Sequence, residues 1–204
     1  MTTRTIHIVD DDDPVRDSVR MLLATRSNLL IRCYKSGTPF LEQADDLEPG
    51  VLLLDYHMPE VSGLDVLRAI DRDKFLTVML TGHGSVGLAM EVIRAGGVDF
   101  IEKPYEPARL LEIVDAAFEK LEKNRAADAR VAAARAKIER LSERERSVLE
   151  GLIEGQSNKV IAHQLDISPR TVEIHRSKVM EKLQVRSLSE ALRISFAAGL
   201  IPLD

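Results

Sequence analysis

Residues 1–120 alternate short apolar segments with stretches of helical periodicity, and few folds can accommodate that order. Residues 5–10, 29–33, 51–55, 77–81 and 98–101 are apolar or β-branched and are bounded by charged residues, glycine or proline, so each reads as a strand. Between them, Val15, Val19, Leu22 and Leu23 share one helical face, as do Leu64, Leu67, Ala69 and Ile70, and then Leu88, Val92 and Ile93. A further helical pattern runs from Pro107 through Leu110, Leu111, Val114, Ala117, Phe118 and Leu121. Five strands alternating with helices predict an α/β fold, a doubly wound five-stranded parallel sheet. In such sheets ligands bind beyond the carboxyl ends of the strands.

The chain continues past this unit, and its charge changes sign there. Up to Lys120, 13 basic and 21 acidic residues leave a balance of −8, whereas 15 and 12 beyond it leave +3. An acidic module that handles cations, followed by a basic module that handles polyanions, fits this asymmetry. Hydrophobic residues at 45% and charged residues at 30% are globular values and exclude disordered or fibrous architectures. A single cysteine, Cys33, excludes an intramolecular disulfide and any cysteine-based zinc or iron–sulfur site. With no apolar run of about 18 residues and no signal-peptide pattern, the expected location is the cytoplasm, without membrane insertion.

From Asn124 to Lys137 the sequence is rich in alanine and charge, and no Gly or Pro interrupts residues 108–150. An α/β module over 1–120, a helical linker over 121–138 and a small all-α domain over 139–204 follow as the expected organisation. Val131, Ala134, Ile138 and Leu141 form a narrow apolar seam that a partner helix could cover, though a solvated linker helix is the plainer reading. Beyond Leu141, Ser142 and Glu145 have capping-box spacing, a second helix is expected over 158–165, and Ser168-Pro169 opens a third. A closing helix over 187–198 is expected to bury Leu188, Ala191, Leu192 and Phe196.

The polar residues of the first module gather at expected strand ends. Asp10 and Asp11 end the first strand, Asp55 ends the third, Thr81 ends the fourth and Lys103 follows the fifth. Three carboxylates brought together repel by about 3 kcal/mol per pair at ~5 Å and an effective dielectric of ~20, so they require protonation or a cation. Oxygen-only ligands favour magnesium, which takes one or two carboxylates and leaves another for chemistry. Asp55 suits a nucleophile toward a phosphoryl group, with Lys103 and Thr81 placed to steady its oxygens.

Through VDDDD at 9–13, LLLDYHMP at 52–59, SGLDVL at 62–67, TGHG at 81–84 and VDFIEKP at 98–104, the module resembles the receiver domain of bacterial two-component response regulators. The resemblance implies phosphorylation of Asp55 by a sensor histidine kinase, with Mg²⁺ held by Asp10, Asp11, Asp55 and the backbone carbonyl of His57. It also implies that Lys103 contacts the phosphoryl group, that the Lys103-Pro104 bond is cis, and that Thr81 and Phe100 form a coupled switch. His57 and His83 stand where the family tunes phosphate lifetime, or are plain loop histidines. Asp12-Asp13 and Asp45-Asp46 read as helix-terminal or loop charges. Tyr56 is bulky beside the site, and Gly96-Gly97 departs from the family pattern, which leaves open a looser loop or a packing need.

Residues 141–187 resemble the LuxR-type helix-turn-helix, in which the second helix of the motif enters the major groove. The matching residues include Glu145, Gly155, Asn158, Lys159, Ile161, Thr171, Val172, His175, Lys182 and Leu183. By this resemblance Lys159, Thr171, Arg176 and Lys178 suit phosphates, while Glu173, Ile174 and Ser177 occupy the base-reading face. The two modules together resemble the NarL/FixJ class, on its FixJ-like branch. That implies a phosphorylation-dependent transcriptional regulator that forms a homodimer and binds double-stranded promoter DNA. Such a protein is not an enzyme beyond gaining and losing its own phosphoryl group. The rivals are an aspartyl-phosphate phosphatase, for which Tyr56-His57 offers no second carboxylate at the usual spacing, and an interaction protein whose helix-turn-helix does not read DNA.

Overall fold

The computed structural model describes residues 3–82 and 86–200. The chain divides into two compact units, Met1–Asn124 and Arg125–Asp204.

In the first unit the order is β1 (Arg4–Val9), α1 (Asp13–Leu23), β2 (Leu29–Tyr34), α2 (Gly37–Leu41), β3 (Gly50–Asp55), α3 (Gly63–Ala69), β4 (Phe75–Thr81), α4 (Val86–Arg94), β5 (Asp99–Glu102) and the start of α5 (Pro107–Glu139). The strands form one sheet in the order β2-β1-β3-β4-β5, and every pairing is parallel. Parallel strands covered on both faces need near-continuous apolar runs, and β3 and β4 are buried at every position. Ile6, Ile8, Leu53 and Val78 pack with Val19 and Leu23 of α1 and with Leu110, Val114 and Phe118 of α5. On the opposite face Leu52, Leu54 and Met79 meet Phe40, Leu64, Leu67 and Val92 from α2, α3 and α4. Because all five strands run the same way, their carboxyl ends share one rim.

Strand boundaries differ from the expected ones by a residue or two, chiefly at the ends. The short helix α2 was not expected, because five residues carry too little periodicity to show in the sequence. Ile93, expected on the buried face of α4, is 55% exposed; Val92 alone of that pair faces the sheet. The double glycine has packing reasons. Gly96 adopts a left-handed φ of 98°, and a Cβ at Gly97 would approach Val92 Cγ1 to 2.5 Å.

The linker residues belong to α5, which continues unbroken to Glu139, and residues 122–130 are all exposed. The apolar seam turns inward: Ala134 and Ile138 are buried, and Ile138 packs with Leu149, Val179 and Leu183 in a core that Leu141 also borders. The second unit then comprises α6 (Glu143–Ile153), α7 (Asn158–Leu165), α8 (Pro169–Leu183) and α9 (Leu188–Ala197). Serines cap all four helices, Ser142, Ser157, Ser168 and Ser187 each accepting a backbone N–H, and Ser142 with Glu145 completes a capping box. A second cluster joins Val148 and Leu152 to Ile161, Ala162 and Val172, holding α7 against α6 and α8. Phe196, expected in the core, is 49% exposed, whereas the preceding Ser195 and, one turn earlier, Ala191 are fully buried. Among the described residues, no helix is long and apolar enough to cross a membrane.

Candidate functional site

At the carboxyl rim of the sheet, one carboxylate oxygen each from Asp10, Asp11 and Asp55 lie within 4.8 Å of one another. Asp10 follows β1 and is buried, Asp55 ends β3 and is buried, and Asp11 is exposed. The backbone carries them there because Asp55 pairs in register with Leu80, while Tyr56 N–H donates to Leu80 O at 2.8 Å and extends the ladder past the last strand residue. Gly63 starts α3 directly beneath: a Cβ there would fall on the carbonyl oxygen of Asp55, so only glycine allows the helix to begin so close.

Lys103 reaches into the carboxylates from the far side of the sheet. Its Nζ donates to Asp55 Oδ1 at 2.6 Å and to Asp10 Oδ2 at 2.7 Å. The Lys103-Pro104 bond is cis. Burial pushes the Asp55 carboxyl above its ordinary pKa; Lys103 opposes that rise, and Asp10 and Asp11 reinforce it. Burial pulls the Lys103 ammonium down, but its hydrogen bonds to Asp10 and Asp55 outweigh that and leave it above the usual lysine value. The cluster is thus a desolvated set of carboxylates partly neutralised by one ammonium, with only oxygen donors facing any further cation.

Thr81 ends β4, fully buried, and its carbonyl accepts from Lys103 N–H at 2.7 Å. Phe100 registers beside Met79, two residues before Thr81, which places it along the same face of the sheet as the threonine. His57 lies exposed two residues beyond Asp55, its ring edge-on to Tyr56 at 4.7 Å between centroids. His83 lies outside the described residues. Asp12 caps α1 by accepting from Val15 N–H, and Asp13 sits in the first helical turn, as their sequence position suggested.

Arg16 had no assigned role in the sequence. It is buried beside the acidic cluster, where Nη1 donates to the carbonyl of Asp10 at 2.7 Å and Nη2 bonds the Asp13 carboxylate. The available signal was the Asp13/Arg16 spacing of three on a helix.

In the second unit α7 and α8 form the helix-turn-helix, with Asp166 at φ 54° ending α7. Glu173, Ile174, Ser177 and Lys178 are exposed along one face of α8. Arg176 is half-buried and lines grooves with Asn158 and Lys159 at the start of α7 and with Glu173 and Ser177. Thr171 stands apart in the first turn of α8, its Oγ1 2.8 Å from Ser168 Oγ, where it supports the cap.

The described residues thus join a doubly wound sheet with an acidic rim to a small helical unit that carries a helix-turn-helix. Residues 6–115 match the response regulator receiver domain, and residues 139–195 match the bacterial regulatory proteins of the luxR family. The transcriptional regulatory protein FixJ of Rhizobium meliloti is 44% identical over 207 residues, covering 99% of this chain and 100% of that protein. FixJ of Azorhizobium caulinodans is 40% identical over 202 residues, covering 98% and 95%. Among solved structures, response regulator StyR superposes with a TM-score of 0.84 at 31% identity, covering 96% of this chain and 99% of that one. Full-length FixJ from B. japonicum gives 0.59 at 38% identity, covering 99% and 100%. The chain belongs to the bacterial response regulators that join a receiver domain to a LuxR-type DNA-binding domain, and it regulates transcription in dependence on phosphorylation.

Proposed function

We propose that Asp55 accepts the phosphoryl group and that this event controls promoter binding by α8. The observation that carries the reading is the convergence of Asp10, Asp11, Asp55 and Lys103 at one rim, with Lys103 bonded to both buried carboxylates. A sensor histidine kinase is the natural donor: an Asp55 oxygen attacks phosphorus, the P–O bond forms as the P–N bond to the kinase imidazole breaks, and the imidazole leaves with the electron pair. Lys103 Nζ turns from the free carboxylates to the transferred oxygens, and the Thr81 hydroxyl donates to another of them.

The donor set fits Mg²⁺, since three clustered carboxylates with oxygen-only ligands suit a small hard cation. Asp10, Asp11, Asp55 and the His57 carbonyl would hold it. When bound, it neutralises charge that builds on the phosphoryl oxygens. The chemistry of the chain is confined to its own phosphorylation and dephosphorylation, in a protein that works in the cytoplasm.

Movement of Thr81 toward the phosphoryl group draws Phe100 with it, because the two share a face of neighbouring strands. The surface so altered is that of α4 and β5, where Met90 and Ile93 are 46% and 55% exposed, and a homodimer forms through it. Two DNA-binding modules then read half-sites in double-stranded promoter DNA, gaining affinity through linkage. Lys159, Arg176 and Lys178 hold phosphates with Thr171 near the backbone, and Glu173, Ile174 and Ser177 face base edges.

Acetyl phosphate with Mg²⁺ tests the reading. The wild-type protein is expected to gain one phosphoryl mass on the peptide spanning Asp55, to dimerise and to bind DNA more tightly. Asp55→Asn is expected to do none of these, and dimerisation of that variant on phosphodonor addition would refute the assignment.

A further inference from the structure

We infer that Arg16 is a positioning residue for the acidic pocket: its guanidinium holds the turn between β1 and α1 in the shape that gathers Asp10 and Asp11 around a divalent cation. The inference rests on the reading of that pocket as a phosphorylation site.

The turn is tied at several points, and Arg16 closes it. Nη1 donates to the Asp10 carbonyl at 2.7 Å, Nη2 bonds the Asp13 carboxylate, and the Arg16 N–H donates to the Asp12 carbonyl at 2.9 Å. On the opposite side of the same peptides, Asp12 N–H donates to Asp10 Oδ1 at 2.9 Å, while Asp10 Oδ2 accepts from Lys103. Asp10 is therefore fixed through its carbonyl and through both carboxylate oxygens. Its side chain is 1% exposed, whereas that of Arg16 is 9% exposed and that of Asp13 is 62% exposed. A buried guanidinium with two acceptors in different directions uses the fork that an ammonium lacks. Without it, the buried Asp10 carbonyl loses its donor and the turn loses the strut between its two ends.

Charge and position make opposite predictions here. Arg16 is a cation beside a cation-binding pocket, so deleting its charge would by electrostatics alone tighten Mg²⁺. If the guanidinium holds the ligands in place, deleting it must loosen Mg²⁺ despite that gain. Arg16→Lys separates the two further, because it keeps the charge and gives up the fork.

The test measures Mg²⁺ binding by calorimetry on the full chain, together with amide hydrogen exchange and the Mg²⁺ dependence of phosphorylation by acetyl phosphate. Arg16→Met is expected to weaken Mg²⁺ about tenfold and to speed exchange at the Asp12 amide, while exchange within β3 and β4 stays as in wild type. Half-saturation of phosphorylation should shift by the same factor, with the rate at saturating Mg²⁺ within about twofold of wild type. Arg16→Lys is expected to weaken Mg²⁺ about threefold or more, and it carries the test should Arg16→Met not fold. Mg²⁺ affinity unchanged or tightened in either folded variant overturns the inference, as does a loss of rate at saturating Mg²⁺ without a change in affinity. Failure of the wild-type protein itself to bind Mg²⁺ or to be phosphorylated on Asp55 is a different result, and it removes the reading of the pocket.

Discussion

Lys182 Nζ donates to Glu145 Oε2 at 2.6 Å, and the same oxygen accepts from the Ser142 N–H at 2.8 Å, so one carboxylate both closes the capping box of α6 and ties that helix to the last turn of α8. Burial pushes the Glu145 carboxyl up, but Lys182 and the Ser142 backbone outweigh it and the pKa lies below the ordinary glutamate value. A depressed carboxylate stabilises the folded state above its unfolded pKa, and that contribution fades as pH falls through the folded one. Glu145→Gln is expected to destabilise α6 by about 1.5–3 kcal/mol at pH 7, the usual scale for hydrogen bonds to a charged group. The gap from wild type should hold down to about pH 4.5 and shrink below it, as read from amide exchange in α6. A gap that persists undiminished at pH 3 contradicts this account.

His7 obeys the opposite electrostatics. It is fully buried in β1, packed against Tyr34, Phe40 and Phe75, with Nε2 3.0 Å from the Glu48 carbonyl. Burial lowers its pKa, which the Glu48 carbonyl partly offsets and Arg32 and Lys74 reinforce. The unfolded chain therefore binds a proton first, and the receiver should lose stability as pH drops below about 6.5, by at most about 1.4 kcal/mol per pH unit from this group. In His7→Phe that acid sensitivity should diminish between pH 6.5 and pH 5, measured by urea unfolding at each pH.

Lys103→Met keeps an apolar stem and removes the ammonium that bridges Asp10 and Asp55. Phosphorylation of Asp55 by acetyl phosphate is expected to slow about 10²-fold, the typical cost of one preorganised charge-stabilising donor. Mass spectrometry of time points gives the rate directly, and a change of less than about threefold would mean that the ammonium does not meet the transferred oxygens.

On α8 the contacts proposed above divide between phosphates and base edges. Lys178→Ala should weaken binding to all DNA sequences alike and reduce the slope of log affinity against log salt by about 1 per module. Ile174→Ala should leave that slope alone and relax preference at one base position, costing about 1–3 kcal/mol against the best site. Fluorescence anisotropy across a salt series, with single-base variants of a selected site, distinguishes the two patterns.

Much of this was legible in sequence because parallel strands are buried on both faces and announce themselves as apolar runs, so Val51 to Asp55 could be read as a strand with a reactive end. The serine caps were equally plain at Ser142 and Ser168. What escaped was whatever depends on three-dimensional neighbours. Ile93 and Phe196 satisfy the helical pattern yet face outward, since periodicity marks a stripe without saying how wide the covering surface is. Arg16 looks like any helix-surface arginine until the Asp10 carbonyl is seen beside it. The glycines at 96 and 97 left a looser loop and a packing need equally open in sequence; Gly96 meets a left-handed backbone and Gly97 the approach of Val92.

Asp10, Asp55, Thr81 and Lys103 each leave the sheet from a different strand, and the outward faces of the surrounding helices supply none of them. Apart from Asp13, which bonds Arg16, substitutions on those exteriors replace no side chain that meets the rim. The polar groups of the rim and the solvent-facing helix surfaces are thus set by separate stretches of sequence, and each can vary without rewriting the other.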